Sequence, residues 1–476
     1  MISRLFVPGS ELVGGGEGRV DTTVARVMAL SDDDVDAALT ELFARFAHRH
    51  EDLADVFERH ASMVAPQLAA TLSPARRQLL GATFTHEYSL EGASLTNPSI
   101  VAHPDQSGLT DGALRVIVSY RSIGEGHHSS ICFRTGEIGA DGELHMNDPL
   151  PYPVVGSVSA TTPPRDELLA SLRERGQDDV TLHAALGGLS PEYTWEELER
   201  SLADFVAARG DAAGAHEVVD LVREVTASWY EAVFDERVDV SRRTLWPTAP
   251  AERRGMEDAR FVAFDDDGVT RYLASYTAFD GRSIRQQLLE TSDFVTFHSS
   301  PLSGIGASNK GLAFFPRRVN GRFTALSRHD RETNAVAFSD SLTSWNEVAP
   351  AQIPQHPWEI LQLGNCGSPI ELAEGWLVIT HGVGPMRTYG IGALLLDLDD
   401  PTRVVAQLRR PLLLPDPAER DGYVPNVVYS CGSLVHAGRL YLPYGVADQA
   451  VGFATVAIGD LLAALEPVDD ALRTVA

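Results

Sequence analysis

The segment Gly255-Met256-Glu257-Asp258-Ala259-Arg260 sets two adjacent carboxylates and a guanidinium at the entrance to an apolar run, Phe261-Val262-Ala263-Phe264. On an extended strand, neighbouring side chains point to opposite faces. Glu257 and Asp258 are therefore expected to diverge, one doing chemistry in a cavity while the other braces the backbone. Arg260, two residues beyond Asp258 and on the same face, is expected to hold that carboxylate by charge-assisted hydrogen bonds. An isolated Glu-Asp-x-Arg also fits a strand-opening ion pair, so its meaning depends on the rest of the chain.

Polar clusters then recur at strand ends. Ser308-Asn309-Lys310-Gly311 precedes Leu312-Ala313-Phe314-Phe315, and Leu326-Ser327-Arg328-His329-Asp330 follows a strand. Gly364-Asn365-Cys366-Gly367-Ser368-Pro369 turns into Gly375-Trp376-Leu377-Val378-Ile379-Thr380-His381-Gly382, with Tyr389 beyond it. Asp421 to Tyr429 comes next, and Leu442-Pro443-Tyr444-Gly445-Val446-Ala447-Asp448 ends the series. Upstream, Asn97-Pro98 opens a strand. The turn Arg121-Ser122-Ile123-Gly124-Glu125-Gly126-His127-His128 carries charge and two imidazoles. Those histidines are neighbours that would face opposite ways on a strand, which makes a poor chelating pair, and no metal site is expected. Taken singly, Lys310 or Arg328 could cap a turn, His381 could be a satisfied strand histidine, and Tyr389 could pack.

Short strands divided by Gly, Asp and Asn turns position these groups from Val238 to about Ala464. Thr291-Ser292-Asp293-Phe294 resembles Phe338-Ser339-Asp340-Ser341, and 47 residues separate the two Ser-Asp pairs. That period fits one four-stranded blade of a β-propeller, whose loops gather residues distant in sequence around one funnel. Trp246, Trp345 and Trp376 read as blade cores, and Tyr276 and Phe279 as packing residues. Before Asn97 the pattern is helical. Ser31 and Asp32-Asp33-Asp34 cap a helix carrying Val35, Ala38, Leu39, Leu42, Phe43 and Phe46, followed by helices over Asp52 to Met63 and Pro74 to about Thr83. Three further helices are expected at Arg165 to Arg175, Thr194 to Arg209 and Ala215 to Tyr230. The expected organisation is an N-terminal helical accessory region (1–95), a first blade (96–160), a helical insertion (161–235), and the remaining blades with a C-terminal segment (236–476).

The 476 residues carry 39 Lys and Arg against 66 Asp and Glu, a net charge of −27. Polyanions such as nucleic acid and anionic membrane are excluded as general partners, and any anion site must be a local basic pocket. Cys132, Cys366 and Cys431 are odd in number and form no Cys-x-x-Cys pattern, which points to a reducing compartment. With no apolar leader or bilayer-length run, a cytoplasmic protein is expected.

In combination these motifs resemble glycoside hydrolase family 130, the β-mannoside phosphorylases and related mannosidases, over about residues 97–135 and 236–465. The resemblance implies a mainly β fold, a five-bladed β-propeller, here with the N-terminal helical region and helical insertion added. It implies Asp258 as general acid, acting on the glycosidic oxygen through a hydroxyl of the bound mannose. Asn97, Arg121, Arg260, Asn309 and Asp448 would bind substrate; Lys310, Arg328, His381 and Tyr389 would bind phosphate. The implied reaction is inverting phosphorolysis of a terminal β-linked mannose in a manno-oligosaccharide, giving α-mannose 1-phosphate with no metal or organic cofactor. Self-association through terminal helices is also expected. One departure stands out: the family's phosphorylases usually carry a lysine where this chain has Gln362. A β-1,2-mannosidase using water is therefore the alternative, with Glu359 as the carboxylate available to activate it, and a silent sugar-binding propeller is a third reading.

Overall fold

Residues 1–7, 17–209 and 213–468 are described by the structure, a computed structural model. The stretch 8–16, part of the loose start of the N-terminal helical region, lies outside the described residues, as do 210–212 and 469–476. The chain divides into two units, Met1–Gly92 with Leu150–Val154, and Ala93–Pro149 with Val155–Ala476.

In the first unit, local capping fixes the helices. Ser31 Oγ accepts from the Asp34 backbone N–H at 3.2 Å, and three aspartates fill the first turn of Asp32–Phe46, where the helix dipole favours them. Ser73 caps Pro74–Thr83, with proline at the first helical position. That helix and Leu53–Val64 meet at Gly81, where a Cβ would collide with the Phe57 backbone. Val27, Val35, Leu39, Ala61, Leu79, Leu80 and Phe84 form the core. The antiparallel pair Ile2–Leu5 with Thr85–Tyr88 was not expected from the residue pattern.

The second unit is mainly β. Antiparallel meanders follow one another in chain order. Ser94–Ala102, Leu114–Ile123 and Ser129–Ile138 form the first, extended by Leu144–Met146. Gly255–Asp266, Val269–Phe279, Ile284–Thr291 and Thr296–Pro301 form the next, joined to the first by the Gly255–Ser129 pair. Ala313–Phe314, Phe323–Ser327, Asn334–Ser339 and Glu347–Gln352 come third. Gln362–Asn365, Gly375–Val383, Tyr389–Leu396 and Val404–Gln407 come after. Val428–Tyr429, Arg439–Val446 and Ala450–Ala457 close the series, with Leu434–His436. The two Ser-Asp pairs occupy the same place, the turn between the third and fourth strands of consecutive meanders.

Buried clusters join neighbouring meanders. Phe264, Leu273 and Leu288 pack with Phe314, Phe323 and Trp345. Phe315, Leu326 and Val336 pack with Trp376, Val378 and Leu394. Leu377, Ile379 and Ile391 pack with Val428, Leu440 and Leu442. Tyr441 of the last meander packs with Ile100, Val116, Val118 and Tyr120 of the first. Phe133 meets Phe261, Phe294 and Phe297 between the first and second.

The helices Arg165–Glu174, Asp179–Leu186, Trp195–Arg209 and Ala213–Thr226 share a core of Leu168, Leu172, Leu182, Leu198, Leu202, Val222 and Trp229. Asp179–Leu186, capped by Asp178, was not expected from the sequence. The last helix stops at Thr226 rather than reaching Tyr230, because Tyr230–Val233 is a strand. It pairs with Ser157–Ala160 on one side and Thr296–Pro301 on the other, tying the helical segment to a sheet edge. Among the described residues, no helix is long and apolar enough to cross a membrane, and all three cysteines are buried.

Candidate active site

Two strands carry the same irregularity. Opposite Val269–Phe279, Glu257 pairs with Thr277 but Arg260 with Ser275, leaving one surplus residue. Opposite Leu114–Ile123, Thr96 pairs with Arg121 but Ser99 with Ser119, the same surplus. Asp258 and Asn97 lie in these bulges with left-handed backbones, φ 59° and 49°. A bulge bends its strand and re-aims the nearby side chains. The divergence expected of Glu257 and Asp258 is smaller than strand alternation gives: both carboxylates face the same two cations, although only Asp258 lines the cavity described below.

Glu257 bridges those cations, with Oε1 2.6 Å from Arg121 Nη2 and Oε2 2.6 Å from Lys310 Nζ. This holds Arg121 Nη1 3.9 Å from Asp258 Oδ1 and Lys310 Nζ 4.0 Å from Asp258 Oδ2. Asn97 Nδ2 donates to Asp258 Oδ1. Burial pulls the Asp258 pKa up, but Lys310, Arg121, Arg260 and the Asn97 hydrogen bond outweigh it, leaving the carboxyl below its ordinary value. Burial works against the Lys310 charge, and Asp258 and Glu257 more than restore it. Asp448 accepts from Thr96 Oγ1 at 3.2 Å, and its pKa is raised by burial and by the Asp258 charge. Just upstream, buried Glu252 accepts from Tyr230 Oη at 2.9 Å and from the Thr248 and Ala249 N–H groups, anchoring the turn that leads into the Asp258 strand.

A cavity of about 410 Å³ opens over this cluster. Asn97, Arg121, Asp258, Asn309, Lys310, Arg328, His381, Tyr389 and Asp448 all line it, so every site residue expected from the sequence is there except Arg260. Arg331, Gln362, Arg387 and Tyr429 also line it. Six of these residues, Asn97, Asp258, Asn309, Arg331, Arg387 and Asp448, have left-handed backbones without being glycine. Such conformations cost about 1–3 kcal/mol each and cluster at functional sites.

Arg260 lies behind the wall, 1% exposed. It donates to Tyr429 Oη at 2.7 Å and to Asn365 Oδ1 at 3.2 Å. The bulge turns it away from Asp258, so it acts on that carboxylate by its field alone while positioning Tyr429. Asn309 is occupied at both ends, accepting from Arg331 Nε at 2.7 Å and donating to the His329 carbonyl. Glu359 does not reach the cavity. It is 1% exposed and accepts from the Gln355 and His356 N–H groups at 3.0 and 3.1 Å, which makes it a loop cap rather than a base for water.

His381 is fully buried, and burial, reinforced by Arg328 and Arg260, drives its pKa well below the ordinary value. It is thus a neutral ring, not a cation. Nδ1 lies 3.1 Å from the Asn365 carbonyl, which assigns the proton there, and Nε2 has no partner. Tyr389 stacks on it at 6.2 Å.

Arg328 donates to the Arg331 carbonyl at 3.1 Å. Among the described residues, no carboxylate lies within ion-pairing distance of Arg328, Arg331 or Arg387. Three guanidiniums without ion-pair partners among the described residues, in a chain of net charge −27, make a local anion site. Sequence reasoning missed two of them. Arg331 lies one residue beyond the Leu326–Asp330 cluster. Arg387 lies in the hairpin Gly384-Pro385-Met386-Arg387-Thr388, whose backbone repeats Gly124-Glu125-Gly126-His127-His128 almost angle for angle. Comparing those two turns was the available signal. Among the described residues no three His, Cys, Asp or Glu side chains gather to hold a metal.

The sequence profile of glycoside hydrolase family 130, described as beta-1,4-mannooligosaccharide phosphorylase, matches residues 233–466. A 1,2-beta-oligomannan phosphorylase of Thermoanaerobacter sp. is 35% identical over 215 residues, covering 44% of this chain and 71% of that protein. A beta-1,2-mannobiose phosphorylase of Listeria innocua is 29% identical over 234 residues, covering 47% and 63%. Among solved structures, a Listeria innocua beta-1,2-mannobiose phosphorylase in complex with beta-1,2-mannobiose superposes with a TM-score of 0.47 at 20% identity, covering 80% of this chain and 93% of that one.

Proposed function

The chain belongs to glycoside hydrolase family 130 and is an enzyme of the β-mannoside phosphorylase or closely related glycosidase kind; on that basis we propose that it cleaves a terminal β-linked mannose from a manno-oligosaccharide by attack of phosphate, with inversion. One observation carries this reading: Asp258 shares a cavity with Arg328, Arg331 and Arg387, three cations without carboxylate partners among the described residues.

In this reading Asn97, Arg121 and Asp448 bind the terminal sugar beside Asp258, which protonates the leaving oxygen through a hydroxyl of that sugar. Phosphate sits among Arg328, Arg331, Arg387 and Lys310, with Tyr389 as a donor and His381 as a neutral hydrogen-bonding group. Charge developing on phosphate and leaving group then meets preorganised donors. Asp258 is held charged in the free enzyme, yet an acid must carry a proton. Phosphate supplies the change. Its negative charge beside Lys310 cancels part of the field that depresses Asp258, so the carboxyl gains proton affinity once the nucleophile is bound. The meanders, each packed on the next and the last on the first, are proposed to be the five blades of a propeller whose funnel is this cavity.

Gln362, a neutral amide on the cavity wall, favours hydrolysis as a second reading. An inverting hydrolase needs a second carboxylate about 6.5–9.5 Å from the acid, across the sugar. Asp448 is the other carboxylate lining the cavity, and it is tied through Thr96 to the strand that carries Asn97. Release of mannose units from β-1,2-mannobiose, followed with and without phosphate, separates the two. Phosphorolysis predicts dependence on phosphate; equal rates in its absence would establish hydrolysis.

A further inference from the structure

A second cavity, about 390 Å³, adjoins the first, and Ile284 and Asn309 line both. Its character is different. Gln286 and Gln287 form one wall, from the strand that begins at Ile284. Ser171, Glu174 and Ser228, from the helical segment, also line it. Gln287 is 1% exposed, and neither its amide oxygen nor its amide nitrogen has a partner. A buried amide with both ends unmade is costly unless something that donates and accepts comes to meet it.

The surrounding charges balance. Arg175 pairs with Glu224 at 2.6 Å, and Glu174, which accepts from the Gly304 N–H, lies near Arg285. Arg175, Arg285 and Glu174 line the cavity, and with Glu224 behind them each of these guanidiniums has a carboxylate near it. Amides, hydroxyls and neutralised charge suit an uncharged polyhydroxyl ligand, and the volume falls in the range of small-molecule sites.

We propose that this second cavity receives the sugar units on the leaving-group side of the oligosaccharide, so that the helical segment 165–228 sets which acceptor or chain length the enzyme accepts. This rests on the proposed function for the direction of the chain, with the cleaved sugar at Asp258 and the remainder passing between Ile284 and Asn309.

The test uses two variants of the full chain. Gln287→Met keeps length and removes the amide; Ser171→Leu fills the cavity from the helical side. In the synthetic direction, from α-mannose 1-phosphate and a manno-oligosaccharide acceptor, both should raise the acceptor KM about tenfold, the loss of roughly one well-made hydrogen bond, and leave the sugar-phosphate KM unchanged. Calorimetric titration of β-1,2-mannotriose into Asp258→Asn, with and without Gln287→Met, reads binding without turnover, and the added substitution should weaken it by the same factor. Unchanged acceptor KM and affinity in both variants, or equal shifts in both KM values, overturn the proposal. If the wild type shows no turnover with phosphate, the proposed reaction fails while the titration still decides the cavity: Gln287-dependent binding supports it, and no binding sinks it.

Discussion

Asp258 keeps its charge because Lys310 and Arg121 stand about equally far from its two oxygens, each pinned there by Glu257. That makes the acid's proton affinity a property of its neighbours. An acid must be protonated, so activity falls as pH rises through its pKa in the working complex. Lys310 supplies the strongest of the charges that lower that pKa. Lys310→Met should therefore raise the Asp258 pKa and move the basic limb of the kcat profile, which reports the bound enzyme, to higher pH; a limb that stays put or moves down argues against Asp258 as the titrating acid. Arg328 has no carboxylate partner among the described residues and no other anion to serve. Arg328→Ala should raise the KM for phosphate roughly 10–100-fold, the worth of a charge-assisted hydrogen bond or two, with little change in affinity for the sugar. Initial rates across a phosphate series decide it.

Among the strands and turns, the site depends on close approach. A Cβ at Gly364 would lie 2.3 Å from Arg328 Cδ and 2.6 Å from His381 Cε1. The backbone there is not left-handed, so alanine is conformationally acceptable and its effect is purely one of space. Gly364→Ala should displace the flexible Arg328 and raise the phosphate KM several-fold without loss of fold; unchanged phosphate kinetics would show that the guanidinium has room to spare. Much of this machinery was legible in the chain. Asn97, Asp258, Asn309, Lys310, Arg328, His381 and Asp448 stand in short polar motifs bounded by glycine and strand-forming runs, and these motifs are the ones that line the cavity. What was not legible is bulge geometry. Alternation places Arg260 beside Asp258, and one surplus residue sends it to Tyr429 instead. Glu359 looked available for chemistry because it is near Gln362 in sequence, yet two backbone N–H groups occupy it. The strand Ile2–Leu5 is too short to show a period, and its partner, Thr85–Tyr88, is remote in sequence.

For the molecule as a whole, buried histidines tie stability to pH. The His381 value is far below 6.5 in the folded chain, so below 6.5 the unfolded chain binds a proton that the native one refuses. Stability is fully present above about 6.5 and declines as pH falls, by up to about 1.4 kcal/mol per pH unit from this group. His60, pushed down to about 4 by burial and nearby Arg59, acts in the same sense. Asp258, depressed rather than raised, loses its contribution only as pH drops through and below the ordinary carboxylate range. These histidines should therefore pull the melting temperature down between pH 7 and pH 5, against the opposite pull of buried carboxylates such as Glu252, whose pKa is raised, and His381→Asn should remove its share of that fall; an unaltered pH dependence would place the sensitivity elsewhere.

The same net-acidic molecule gathers three guanidiniums, without ion-pair partners among the described residues, into the cavity that Asp258 lines, and that gathering is the reason to propose phosphate as the nucleophile. Phosphorus NMR of a β-1,2-mannobiose digest in phosphate buffer is the decisive measurement. The inorganic phosphate signal should decline as an α-mannose 1-phosphate signal grows in step with released mannose. Mannose accumulating while the phosphate signal holds constant would show that water, not phosphate, attacks the sugar.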